Sequence, residues 1–198
     1  NQLAATASDK KKTFIISQVG ILNTVATLYD QQFSSRGAGS EQIVSNILYR
    51  SDNLTSLSIV SADGSELIKQ DRVVIYTEGD LANIADTEAF KSVKENGLYI
   101  GPLSIQSGKP SFDLGRWILD SQGNFSGAVF ARVNAKIMPE VMANVSRIAG
   151  AGGRVYMVDE KGIVVAHQDL SYILGEKDLS GLPIVASDRT SARYENEN

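Results

Sequence analysis

Arg132 and Asp113 are charged residues inside strand-like segments that are otherwise largely apolar, so the search for recognition chemistry starts with them. Arg132 is flanked by Ala131 and Val133, and strand alternation puts it on the same face as Ala128 and Phe130. A guanidinium grips carboxylate or phosphate oxygens through two parallel hydrogen bonds, so an inward-facing Arg132 predicts a small anionic ligand. The competing reading is an arginine whose stem carries its charge from the strand end to solvent. Asp113 falls opposite Ala131 or Arg132 across the hairpin that joins their strands, and a slip of one residue decides which. If the two charges meet, the arginine is partly neutralised. Tyr99, Phe112 and Phe90 are aromatic groups able to stack on a ligand, although rings in sheets more commonly fill the core.

Other chemistries find little support. The chain has no cysteine, which removes disulfides, thiolate metal sites and cysteine nucleophiles together. His167 is the only histidine; without a second histidine or a cysteine to share a metal, it reads as structural, and no metal or cofactor is expected. Gly150-Ala151-Gly152-Gly153 lacks the spacing of a dinucleotide loop, and no phosphate-binding loop, nucleophile elbow or zinc motif occurs. Asp63 and the pair Asp159-Glu160 lie at turns, where acids cap and solvate. The chain therefore reads as a binding module and not as an enzyme. A formal charge of −4, with 42% apolar and 21% charged residues, places it among globular domains. Lys10-Lys11-Lys12 makes no basic stripe interleaved with aromatics, so nucleic acid is not an expected partner. The longest apolar passage, Phe14 to Leu28, is interrupted by Ser17, Gln18, Asn23, Thr24 and Thr27 and falls short of the roughly 20 mostly apolar residues of a spanning helix.

The elements that must position these residues follow from periodicity and turn chemistry. Ile15, Val19, Leu22, Val25, Leu28 and Tyr29 recur at helical spacing and predict one long amphipathic helix over 8–32. Phe14 and Ile21 fall off that stripe and predict a weak parallel homodimer through the helix. Ser40 caps a second helix with Ile43, Val44, Ile47 and Leu48 on its apolar side, ending near Ser51. A hairpin follows, Leu57, Ile59 and Val60 joined through Asp63-Gly64 to Leu67 and Ile68. Next come a short helix over 87–94 and strands over 98–105, 111–119 and 125–133. Strands joined so closely must be antiparallel, which makes the unit α+β with five strands. A helix over 135–145 leaves it, with Pro139 in its first turn.

An internal repeat is the most informative feature. At an offset of 98 positions, Leu57 to Asp71 matches Val155 to Asp169: Val60 falls on Val158, Gly64 on Gly162, Gln70 on Gln168 and Asp71 on Asp169. Two units thus begin with the same hairpin. The organisation read from this is a helical entry over 1–52, a first unit over 53–149 and a second over 150–198. The second is expected to be incomplete, with more sensor sequence and a transmembrane helix following in the parent protein, because only 45 residues run from Arg154 to Asn198.

The stretches Asn83-Ile84-Ala85-Asp86-Thr87-Glu88-Ala89-Phe90, Gly97-Leu98-Tyr99-Ile100-Gly101-Pro102, Gly127-Ala128-Val129-Phe130-Ala131-Arg132-Val133 and Gly162-Ile163-Val164-Val165-Ala166-His167 resemble the double Cache sensors, in which a long helix leads through two PAS-like units between transmembrane helices. The resemblance implies an extracytoplasmic sensing domain of a histidine kinase or diguanylate cyclase receptor, or of a methyl-accepting chemotaxis receptor. The rival from another class is a structural or dimerisation module whose pocket its own side chains fill. The resemblance further implies that a small molecule binds between the first sheet and the segment from Tyr76 to Tyr99, which includes Asp86 and Phe90 of the pocket helix. Membrane contact would come only through flanking helices that this chain lacks. Some members hold an amino acid with an arginine in the pocket helix and an aspartate in the closing strand. Here that helix offers Asp86, Glu88 and Phe90 instead, and Arg132 stands at the closing-strand position, which argues against an α-amino acid.

Overall fold

The computed structural model describes residues 2–32, 38–106, 109–136, 143, 147, 156–158, 161–167, 169 and 171–186. The chain divides into two compact units, Ile16–Ala135, and Asn1–Ile15 with Lys136–Asn198. The helix expected over 135–145 and the glycine-rich joint over 150–153 lie largely outside the described residues.

The long helix α1 (Gln2–Gln32) buries Phe14, Gln18, Leu22 and Val25, one stripe at helical spacing. Phe14 thus belongs to the buried stripe, a correction to its expected place outside it; Ile16, 69% exposed, is a large apolar side chain that α1 leaves in solvent. The second helix α2 (Ala38–Arg50) packs on β1 (Leu54–Ser61) and β2 (Glu66–Asp71) and buries Val44 and Leu48. Helix α3 (Glu88–Asn96) begins where the Thr87 side chain accepts the Phe90 amide at 3.2 Å and ends at Gly97, whose φ of +76° is a left-handed cap.

Strands β3 (Leu98–Ile100), β4 (Ser104–Gln106), β5 (Lys109–Leu119) and β6 (Phe125–Asn134) complete an antiparallel sheet of order β2-β1-β6-β5-β3, with β4 also paired to β5. One strand was expected over 98–105, and two short ones stand there. The Gly101 amide still bonds the Asp113 carbonyl at 2.7 Å, but Pro102 has no N–H to continue the ladder. Leu57, Ile59, Leu114, Val129 and Ala131 lie beneath α1 and α2, each no more than 3% exposed. At about 1.5–3 kcal/mol for each large apolar side chain, such burial holds helices and sheet together.

In the second unit, β7 (Tyr156–Val158) pairs with β8 (Val164–His167), and short helices α4 (Ser171–Leu174) and α5 (Pro183–Ala186) follow. The repeat seen in the sequence reaches into backbone detail. Ile59 pairs Ile68 and Val60 pairs Glu66 across a bulge; Met157 pairs Ala166 and Val158 pairs Val164 across another, each 98 positions on. Gly64 and Gly162 turn these hairpins at φ +89° and +83°, and their carbonyls accept the amides of Ile84 and Leu179 at 2.8 and 2.9 Å. Asn83 and Asp178 each close the returning segment, through side-chain oxygens that accept the amide two residues on. His167, buried in this unit, accepts the Asp169 amide at Nδ1 over 2.9 Å and stacks on Tyr172 with centroids 4.3 Å apart.

Candidate functional site

The face of the first sheet opposite α1 carries a straight row of polar residues. Asp71 on β2 stands opposite Ser56 on β1, Ser56 opposite Arg132 on β6, and Arg132 opposite Asp113 on β5. Two residues along the strands, hence on the same face, a parallel row runs Lys69, Ser58, Phe130, Gly115, Tyr99. Helix α3 covers part of this face. An added Cβ on Gly115 would lie 2.5 Å from both Val93 of α3 and Phe130, so only glycine permits this approach.

A bulge decides which residue Asp113 meets. Leu119 pairs with Phe125 beside the turn, but Ile118 pairs with Gly127, one step out of that register. Had the ladder continued unbroken from Leu119, Asp113 would have faced Ala131. With the extra residue it faces Arg132, and the carboxylate accepts from Nε at 2.8 Å and from Nη2 at 3.1 Å. The two side chains keep 45% and 38% of their surface exposed, so the pair sits at the open part of the face. The Asp113 hydrogen bond pushes the Arg132 guanidinium still higher than its ordinary value, against the opposing effect of burial, and Tyr76 and Asp71 add to the rise. The two charges meet, the case in which the arginine is partly neutralised: Arg132 has a carboxylate in its grip already, and the pair offers both signs of charge.

Tyr76 and Tyr99 flank this pair. Lys69 Nζ lies 4.8 Å from the centre of the Tyr76 ring and is itself held by Glu66 at 2.8 and 3.1 Å. Glu66 Oε2, the oxygen at 3.1 Å from Lys69, also accepts the Ala82 amide at 3.0 Å, which ties the segment after β2 back to the sheet. The Tyr99 ring lies over Gly101, and its phenol is pushed up by burial first, then by the negative charges of Glu88 and Asp113. Between Asp71 and Tyr76, Val73 and Ile75 are 87% and 91% exposed. That apolar segment is anchored at its start, where the Asp71 carboxylate accepts the Val73 and Val74 amides.

Tyr76, Tyr99, Asp113 and Arg132 thus come together, while three other expected site residues do not join them. Phe112 pairs with Val133 and, by alternation, points to the opposite face, where it is buried. Phe90 is a buried residue of α3 itself, with its ring edge-on to Phe125 at 5.9 Å. Asp86 is fully exposed before α3, with Lys91 at 3.8 Å. Asp71, Lys69, Glu66 and Glu88 were missed as contributors. The signal in the sequence was the alternation of Lys69 and Asp71 in β2, two charges on one face of a strand.

Set against solved structures, this architecture has clear counterparts. The ligand-binding domain of the Pseudomonas aeruginosa amino-acid chemoreceptor PctC, solved with GABA, superposes with a TM-score of 0.72 at 14% identity, over 90% of this chain and 77% of that one. The chain has the fold of the Cache sensor domains. A Pseudomonas fluorescens chemoreceptor domain, CtaA with L-serine, superposes at 0.66 and 14% identity over 91% and 74% of the two chains. An extracellular ligand-binding receptor from Desulfohalobium retbaense superposes at 0.70 and 12% identity over 93% of this chain, which spans 34% of that receptor's length. No protein-family model and no curated protein matches the sequence. Within the Cache fold, the α+β order and the long leading helix agree with what the residues implied.

Proposed function

We propose that this chain is the extracytoplasmic small-molecule-sensing domain of a transmembrane receptor, and that its ligand sits on the sheet face carrying Asp113, Arg132, Tyr76 and Tyr99. The observation that carries this reading is the Asp113–Arg132 pair, half-exposed and flanked by two tyrosines on the face that α3 and the segment after β2 border. A carboxylate and a guanidinium side by side favour a ligand bearing both charges, the ammonium toward Asp113 and a carboxylate toward Arg132. Solved neighbours hold GABA and L-serine, which are such molecules. This reading differs from the small and, if charged, anionic ligand expected from Arg132 alone, and it readmits the amino acid that its position had argued against.

Binding signals only if the ligand favours one of two conformations. The output of such a receptor, whether histidine kinase, diguanylate cyclase or chemotaxis signalling, lies outside the chemistry of a sensing fold. In the parent receptor the domain would stand on the outer side of the inner membrane between spanning helices, and exposed Ile16 is the residue on which a weak homodimer through α1 would rest. Thermal-shift screening with amino acids, amines and monocarboxylates tests the ligand class. Zwitterions should raise the melting temperature, and Asp113→Asn should weaken their binding about tenfold or more. A set of zwitterions that leaves the melting temperature unchanged, or binds Asp113→Asn as tightly as wild type, would overturn the assignment.

A further inference from the structure

On the other side of the sheet's edge, where β3 has ended and β5 runs on beside α1, lies a cleft of about 320 Å³ lined by Asn23, Ala26, Thr27, Arg116, Trp117 and Leu119. Leu98 pairs with Arg116, and beyond the Trp117 amide's bond to the Gly97 carbonyl at 3.2 Å, β6 is the ladder neighbour of β5 among the described residues. Arg116 is three positions from Asp113, so alternation turns its side chain to the opposite face from the ligand face. We propose that this cleft is a second small-molecule site, which takes an organic carboxylate with a compact apolar body.

The guanidinium is held ready for such a group. Nε donates to Asn23 Oδ1 at 2.9 Å and Nη1 donates to the Gly97 carbonyl at 2.9 Å, while the guanidinium carbon lies 5.4 Å from the centre of the Trp117 ring. These bonds use two of the five donors that a guanidinium carries. Both acceptors are neutral, and no carboxylate among the described residues forms an ion pair with Arg116. This contrasts with Arg132, whose charge Asp113 offsets. A positioned cation with donors to spare, in a cleft, favours a carboxylate that can accept two parallel bonds. Trp117 and Leu119 supply apolar surface for the remainder. The Trp117 ring is itself seated on Gly97, where an added Cβ would lie 2.7–2.8 Å from it. A volume near the lower bound of about 300 Å³ for small-molecule pockets fits a single ring better than a larger body. An occupant would bridge α1 and β5, stabilising the packing of helix on sheet by mass action.

This site goes beyond the sensing face and stands or falls apart from it. Trp117 is the only tryptophan in the chain and lines the cleft, so its indole N–H resonance reports on binding there; because alternation turns Trp117 toward the face of Asp113, the Arg116 and Asp113 variants tell the two sites apart. Titration of the whole chain with benzoate should move that resonance saturably, and benzyl alcohol and benzylamine at equal concentration should not. Arg116→Gln should weaken benzoate binding about tenfold or more, and Ala26→Leu should block it by filling the cleft while leaving the guanidinium in place. Asp113→Asn should leave the titration unchanged, which separates this site from the sensing face. The proposal is overturned if benzoate produces no saturable shift, if benzyl alcohol acts equally, or if Arg116→Gln binds benzoate as wild type does. Should Arg116→Gln fail to fold, Ala26→Leu decides: undiminished benzoate binding there refutes the cleft, and loss of binding supports it.

Discussion

Asp113 and Arg132 stand directly opposite each other on β5 and β6, joined by two parallel hydrogen bonds of 2.8 and 3.1 Å at the half-exposed part of the sheet face opposite α1. Their exposure limits what the pair adds to stability. A double-mutant cycle with Asp113→Asn and Arg132→Met, read by urea unfolding, should give a coupling energy of about 0.5–1 kcal/mol. A coupling of several kcal/mol would mean that the pair is far drier than its exposure indicates. The larger effect is expected in ligand affinity, where both charges are presented together.

The turn glycines of the two repeated hairpins should be equally intolerant. At Gly64 an added Cβ would lie 2.5–2.6 Å from Ala85, including its backbone, and at Gly162 2.7–2.8 Å from Ser180, again including backbone. Both also have positive φ, which costs an L-residue about 1–2 kcal/mol before any clash. Gly64→Ala and Gly162→Ala should each lower the melting temperature by several degrees for each kcal/mol lost. Loss at one position only, measured by calorimetry, would show that the two hairpins do not bear equivalent loads.

Arg72 closes the end of α2. Its Nε donates to the Leu54 carbonyl at 2.6 Å, and Nη2 donates to the carbonyls of Leu48 and Ser51 at 2.8 Å each. The last carbonyls of a helix lack intrahelical partners, and a cation there also complements the helix dipole. Arg72→Met keeps most of the stem and removes the donors. It should cost about 2 kcal/mol in chemical denaturation, and the loss should persist in Arg72→Lys, whose single ammonium cannot span three carbonyls in the same planar geometry.

Acid should weaken the β5–β6 turn. Asp120 accepts the amides of Asn124 at 2.8 Å and Gln122 at 2.9 Å, and these bonds, the Asn124 amide foremost, hold its carboxyl below the ordinary value of 3.8. With the folded value depressed, the stabilisation is complete above 3.8 and disappears as pH falls through the folded value. Asp120→Ala should therefore melt below wild type at neutral pH, and the gap should close in strongly acidic buffer. A gap that stays constant with pH would show that the ionised carboxylate is not the stabilising form.

Much of this fold is encoded locally. The helical spacing of Leu22 and Val25, the Thr87 cap, the Gly97 stop and the Asp63-Gly64 turn each act over a few residues, so periodicity and turn chemistry placed α1, α3 and the first hairpin in the primary sequence. The duplication was legible for the same reason, because Gly64 and Gly162 impose the same turn on the same alternation. What only the tertiary structure decided was register and partnership at long range. Alternation alone left Asp113 opposite either Ala131 or Arg132; the bulge between Ile118 and Leu119, which no local pattern announced, moved the ladder by one and joined the charges. The same limit hid the second face of the molecule. Asn23 and Arg116 lie 93 positions apart, and the bond between them exists only because α1 crosses the end of β5, a contact set by packing of the whole core rather than by any neighbouring residue.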